Sequence, residues 1–163
     1  MAYRIPGLVW LALLVLASLP LTVSCSSLPA DPEDTLERVS GGVLRVGVSN
    51  SPPFTEVGGD GAPSGSETNL VRQFAESVDA EIEFVEAGEE TLMQRLSEGD
   101  LDLVIGGLSD ASPWTDKAAL TRPYAEVTDE YGKTRKLVMA APLGENAFLV
   151  RLEDFLREQG GRP

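Results

Sequence analysis

Hydrophobic and polar positions along the chain switch between two periods, and the switches outline the fold. The string Val43-Leu44-Arg45-Val46-Gly47-Val48 is β-branched, with Gly-Gly before it and Ser-Asn-Ser-Pro-Pro after it, and predicts a strand. A Gly- and Pro-rich loop carries the chain to Gly65. Leu70, Val71, Phe74, Ala75 and Val78 then recur on one helical face. Glu81-Ile82-Glu83-Phe84-Val85-Glu86 largely alternates with period two, which predicts an edge strand whose glutamates face water. Leu92, Met93 and Leu96 mark a short helix ended by Gly99, and Leu101-Asp102-Leu103-Val104-Ile105 is a third strand halted by Gly106-Gly107. Residues 118–124 allow a short fourth strand. Residues 124–127 and 134–140 flank the polar stretch Thr128-Asp129-Glu130-Tyr131-Gly132-Lys133, which predicts a hairpin or a crossing segment. Phe148, Leu149, Leu152, Phe155 and Leu156 share one face of a closing helix. Strands separated by helices of this length pair in parallel through right-handed crossovers. The expected fold class is α/β, a mostly parallel sheet flanked by helices.

The N-terminus follows a different pattern. Residues 7–23 form an almost uninterrupted apolar run preceded by a single charge, Arg4. The run is at the short end of what spans a bilayer, and Pro20 disturbs its last turn. It leads into Leu21-Thr22-Val23-Ser24-Cys25, which resembles the lipobox of bacterial lipoproteins, in which the cysteine is acylated and becomes the new N-terminus. Thr22 stands where that pattern usually has Leu, and an ordinary signal peptide with an incidental cysteine is the plain alternative. The organisation expected is a lipoprotein signal peptide over 1–24, a lipidated tether over 25–42, and one lobe over 43–163. Residues 35–39 allow a turn of helix, and nothing there suggests a site.

Composition narrows the chemistry. The 163 residues contain no histidine and one cysteine, and 26 acidic residues against 13 basic ones give a net charge of −13. Without histidine a Ser-His-Asp triad and most zinc sites are excluded. One cysteine closes no intramolecular disulfide. So negative a surface repels nucleic acid, which is not an expected partner. No metal, cofactor or paired acid and base is indicated, so binding is expected rather than catalysis. Asp100 and Asp102 read as a solvated strand entry rather than a metal site.

In an open α/β sheet, ligands bind beyond the carboxyl ends of the strands. Two loops qualify. Ser49-Asn50-Ser51-Pro52-Pro53-Phe54 offers hydroxyls, an amide and an aromatic ring; in Gly106-Gly107-Leu108-Ser109-Asp110 the glycines admit close approach to the backbone. The same residue types also serve as turn formers and core, and the residues alone leave both readings open.

These segments resemble the extracellular solute-binding proteins of the amino-acid type. The resemblance rests on Leu44-Arg45-Val46-Gly47-Val48 with Pro52-Pro53-Phe54, on Gly65-Ser66-Glu67-Thr68-Asn69-Leu70, and on Leu96-Ser97-Glu98-Gly99-Asp100-Leu101-Asp102. Ile105-Gly106-Gly107-Leu108-Ser109 and Thr121-Arg122-Pro123-Tyr124 complete it. It implies a periplasmic-binding-protein fold of the second type and the receptor role of an ABC importer. Ser49, Asn50, Ser51, Phe54, Gly107, Ser109 and Trp114 are then the ligand-binding candidates, and Cys25 the lipidation site. Three departures accompany the match. Such receptors insert a second lobe after the segment matching 121–124, whereas here the chain passes within some ten residues to Arg135-Lys136-Leu137-Val138-Met139-Ala140-Ala141, so a single lobe is expected. Trp114 stands where amino-acid binders carry an Arg, and it either stacks on a ligand or covers a sheet edge. Asn69 replaces a helix-start Asp. The expected partners are a small polar solute held weakly, an ABC permease or another envelope protein, the membrane through the lipid anchor, or a second copy of the chain. The alternative function is an envelope interaction or sensing module that no longer binds solute.

Overall fold

The computed structural model describes residues 29–59, 61–129 and 131–160. The expected signal peptide and Cys25 lie outside the described residues. Among the described residues no helix is long and apolar enough to cross a membrane. The elements, in chain order, are helix α1 (Thr35–Val39), strand β1 (Val43–Val48), α2 (Ser66–Ser77), β2 (Glu81–Glu86), α3 (Glu89–Ser97) and β3 (Leu103–Ile105). A 3-10 turn (Pro113–Asp116) leads to β4 (Ala119–Leu120), β5 (Ala125–Thr128), β6 (Thr134–Leu137), β7 (Ala140–Ala141) and α4 (Asn146–Gly160).

Five strands form one sheet in the order β2-β1-β3-β7-β4, and β5 and β6 form a separate hairpin. β1 pairs in parallel with β2 and β3, the crossovers running through α2 and α3 as the sequence predicts. The sheet is mixed, however, because β7 pairs antiparallel with both β3 and β4. No crossover helix separates these short strands from their neighbours, so the chain simply reverses.

Alternation along the central strands supplies a core on each face. Leu44, Val46 and Val48 of β1, with Leu103 and Ile105 of β3, pack against Val71 and Phe74 of α2 and against Phe148, Leu152 and Phe155 of α4. Phe74 is the hub, edge-on to Phe148 at 5.9 Å and tilted to Phe155 at 5.5 Å between ring centroids. Val104 points to the opposite face, where Leu92, Met93 and Leu96 of α3 meet Leu101, Leu108 and Val138. The glutamates of β2 are exposed on the edge strand, as expected.

Two expectations are corrected. Residues 30–42, expected to be tether, are folded onto the lobe. Thr35 and Val39 are buried. Glu145 accepts hydrogen bonds from the Glu33 and Thr35 amides, and the Phe148 amide donates to Asp31. Asp102 is not solvated but fully buried. Its carboxylate accepts from Arg45 Nη2 and Arg38 Nη2, each at 2.6 Å, and from the Arg45 amide at 2.8 Å. Burial pushes this carboxyl up, but the Arg45 and Arg38 hydrogen bonds outweigh it and hold it below its ordinary range. Asp100 remains exposed, and no metal-binding cluster occurs among the described residues.

The hairpin leaves the lobe at one point. The Thr121 amide donates to the Met139 carbonyl and the Met139 amide to Thr121 Oγ1, the Tyr124 amide donates to the Leu137 carbonyl, and β5 and β6 extend outward from there.

Candidate functional site

β1 and β3 run side by side and end together, so the segments after Val48 and Ile105 meet at one edge of the lobe. The Ser49 amide donates to the Ile105 carbonyl at 3.1 Å, and Thr55 Oγ1 donates to the Ser49 carbonyl at 2.5 Å, which fixes the first loop. The two loops are interlocked. A Cβ on Gly106 would stand 1.8 Å from Ser49 Oγ, and one on Gly107 would stand 2.6 Å from Ser51 Oγ and 2.8 Å from the Phe54 ring. The glycines therefore make room for these three side chains rather than for a ligand.

Their amides are also engaged. Glu67, in the first turn of α2 and fully buried, accepts hydrogen bonds from the Gly106 and Gly107 amides at 2.9 Å each through Oε2. Its other oxygen accepts the Tyr124 hydroxyl. Burial pushes the Glu67 carboxyl above its ordinary range, and the donors from Tyr124, Gly107 and Gly106 pull it back only in part. Burial and the adjacent Glu67 likewise raise the Tyr124 phenol. Glu67 thus ties α2, the Gly-Gly turn and the base of the hairpin into one unit.

Above this unit lies an open cavity of about 710 Å³, lined by Ser49, Asn50 and Ser51, by Gly106 and Gly107, by Glu86 and Glu89, and by Arg135. Of the candidate residues, Ser49, Asn50, Ser51 and Gly107 line it directly. Phe54 does not line this cavity; it lines a neighbouring one with Ser66, Leu70 and Tyr124, although the Arg135 guanidinium lies 5.9 Å from its ring centroid. Ser109 does not line the cavity; it is bridged to Leu137 of β6. Trp114 is partly buried against the α3 face of the core, and its indole N–H donates to Glu89. Lys117 Nζ lies 5.5 Å from the Trp114 ring. Trp114 itself does not line the cavity; it touches one residue that does, Glu89. A second cavity of about 640 Å³ lies at the opposite end of the strands, lined by Arg38, Arg45 and Asp102 among others, and its two arginines are already spent on Asp102.

The sequence reading missed Glu67, Glu86, Glu89 and Arg135. Glu67 lies within a quoted segment, but a glutamate in a first helical turn ordinarily complements the helix dipole in water, and its burial leaves no local signature. Arg135, on β6, is separated from the end of β3 in sequence by β4, β5 and their connections.

The profile of bacterial extracellular solute-binding proteins, family 3, matches residues 44–142. The chain belongs to this family. Solute-binding proteins of the family are extracellular receptors for small polar solutes, and the fold found here is that of one of their lobes. The arginine-bound form of domain 1 from TmArgBP superimposes with a TM-score of 0.64 at 26% identity, covering 75% of this chain and 97% of that one. The L-cystine solute receptor of Neisseria gonorrhoeae in its unliganded open conformation gives a TM-score of 0.65 at 14% identity, over 78% of this chain and 91% of that one. The chain is also 35% identical over 113 residues to membrane-bound lytic murein transglycosylase F of Vibrio cholerae, which covers 68% of this chain. It spans only 20% of the length of that curated relative.

Proposed function

We propose that this chain is a lipid-anchored, single-lobe receptor that binds a small polar solute of the amino-acid type in the cavity beyond β1 and β3, outside the cytoplasmic membrane. The observation that carries the reading is the convergence of Ser49, Asn50 and Ser51 with one guanidinium and two carboxylates on a 710 Å³ cavity at the strand ends. Such a cavity is roomy enough for a small solute and supplies donors and acceptors for its polar groups. The arginine-bound TmArgBP domain supports the premise that a single domain of this fold holds a solute. An open half-site excludes little water, so the affinity expected is on the order of millimolar. A permease or a second copy closing over the cavity would tighten it.

Residues 1–24 are read as the signal peptide and Cys25 as the acylated residue; within the tether expected over 25–42, α1 packs on the lobe. Labelling cells with an alkyne fatty acid should tag the wild-type chain and not Cys25→Ser; tagging of both contradicts the anchor.

For the solute, calorimetry on the full chain in mild detergent against pooled polar amino acids should give saturable heat. No heat at any protein concentration, with or without a partner present, contradicts the receptor role. The relationship to a murein transglycosylase favours one other reading, a sensing or docking module of the envelope. Crosslinking at the membrane that recovers only the monomer would refute that module.

A further inference from the structure

We propose that Arg135, carried by the β5–β6 hairpin, is the anion anchor of the cavity and selects solutes bearing a carboxylate together with a cationic nitrogen. The inference rests on the receptor reading and names the solute class of that same site.

Strand geometry puts Arg135 there. In β6 the side chains of Arg135 and Leu137 share a face, and Leu137 is buried in the lobe. The hairpin is clamped to the loop after β3 at the same place: Ser109 bridges to Leu137, and the Asp110 amide donates to the Lys136 carbonyl at 3.0 Å. With Leu137 seated, Arg135 must project over the strand ends, where it lines the cavity and lies against Phe54. Lys136, on the other face, is paired with Glu126 across the hairpin. Arg135 makes no ion pair among the described residues.

The cavity is polarised around it. The guanidinium stands on the hairpin side, while Glu86 at the end of β2 and Glu89 at the start of α3 stand on the other, with the serine hydroxyls between them. Glu89 is held by the Trp114 indole, and Glu86 accepts the Gly58 amide at 3.3 Å. A planar guanidinium binds a carboxylate through two parallel N–H bonds, which an ammonium does not reproduce. Two carboxylates against one guanidinium leave this end of the lobe net negative, which favours a solute whose cationic groups outnumber its carboxylate.

The test uses the full chain, with L-arginine as the probe and agmatine, the same molecule without its carboxylate, as the control. Binding is read by nuclear magnetic resonance titration to about 50 mM, suited to millimolar affinity. Wild type should bind L-arginine more tightly than agmatine. Arg135→Gln should weaken L-arginine about tenfold and leave agmatine unchanged, with Arg135→Lys between wild type and Gln. An unchanged urea midpoint will show that the exposed substitution leaves the fold intact. L-arginine affinity indifferent to Arg135→Gln, or an equal loss for both probes, overturns the anchor while leaving the receptor reading standing. A wild-type chain that binds neither probe overturns the anchor, and the receptor reading falls with it only if pooled polar amino acids also give no saturable binding.

Discussion

Replacing Glu67 by alanine removes the acceptor on which the Gly106 and Gly107 amides and the Tyr124 hydroxyl converge. The Gly106 amide is buried, and its donor would be orphaned at a cost of about 1–3 kcal/mol. The Gly107 amide is only partly buried and regains water at lower cost. Removing a buried carboxyl also relieves its desolvation, so the net loss worked from these contacts is roughly 2–3 kcal/mol. Glu67→Gln is the informative companion, because its amide oxygen accepts both glycine N–H groups and its NH2 donates to Tyr124; it should cost less than about 1 kcal/mol. Urea unfolding followed by tryptophan fluorescence reads both variants. With a slope of about 1–3 kcal/mol per molar, Glu67→Ala should lower the midpoint by roughly 1–2 M.

The pH dependence adds a signature. The folded state raises the Glu67 pKa above its ordinary 4.5, so it holds the proton more tightly than the unfolded chain does. This carboxyl therefore favours folding below 4.5 and subtracts stability as pH rises through its folded value. Glu67→Gln should remove that slope. Glu67→Ala within about 0.5 kcal/mol of wild type, or Glu67→Gln as damaging as Glu67→Ala, would refute the keystone role.

Two further perturbations follow from the same geometry. Asp102→Asn leaves Arg38 and Arg45 without their shared carboxylate, and because their side chains are 41% and 30% exposed the cost should be about 2 kcal/mol at neutral pH, below that of a fully buried broken pair. The folded Asp102 pKa lies below the ordinary 3.8, so its stabilisation is complete above 3.8 and lost as pH falls through the folded value; acid unfolding of the variant should lack this contribution. Gly107→Ala forces a side chain onto a φ of +65° and drives its Cβ toward Ser51 and Phe54, so thermal unfolding should show a loss of roughly 1–3 kcal/mol; a neutral substitution would show that the two loops are not interlocked.

The apolar pattern made the sheet core legible. Leu44, Val46 and Val48 alternate, Phe74 and Phe155 recur at helical spacing, and the glycines after β3 mark the strand end where the cavity lies. The polar core was hidden for a physical reason. Periodicity reports which apolar side chains share a face, but a buried carboxylate is defined by partners distant in sequence. Glu67 meets amides 39 and 40 residues away and a hydroxyl 57 away. Asp102 meets guanidiniums 57 and 64 residues away. The polar string at 30–42 reads as tether because hydrogen bonds from the Glu33 and Thr35 amides to Glu145, and from the Phe148 amide to Asp31, help fasten it to the lobe without a recognisable apolar stripe. For Trp114 the sequence leaves stacking on a ligand and covering a sheet edge both open, and the hydrogen bond from its indole to Glu89 is one that no local spacing announces.

The central claim is that the paired strand ends form the solute site, and residue-resolved amide shifts test it most directly. On titrating the isotope-labelled full chain with pooled polar amino acids, saturable shifts should concentrate on Ser49, Asn50, Ser51, Gly106 and Gly107. Saturable shifts confined to the opposite cavity around Arg38 and Arg45, or no saturable shift anywhere, would contradict it.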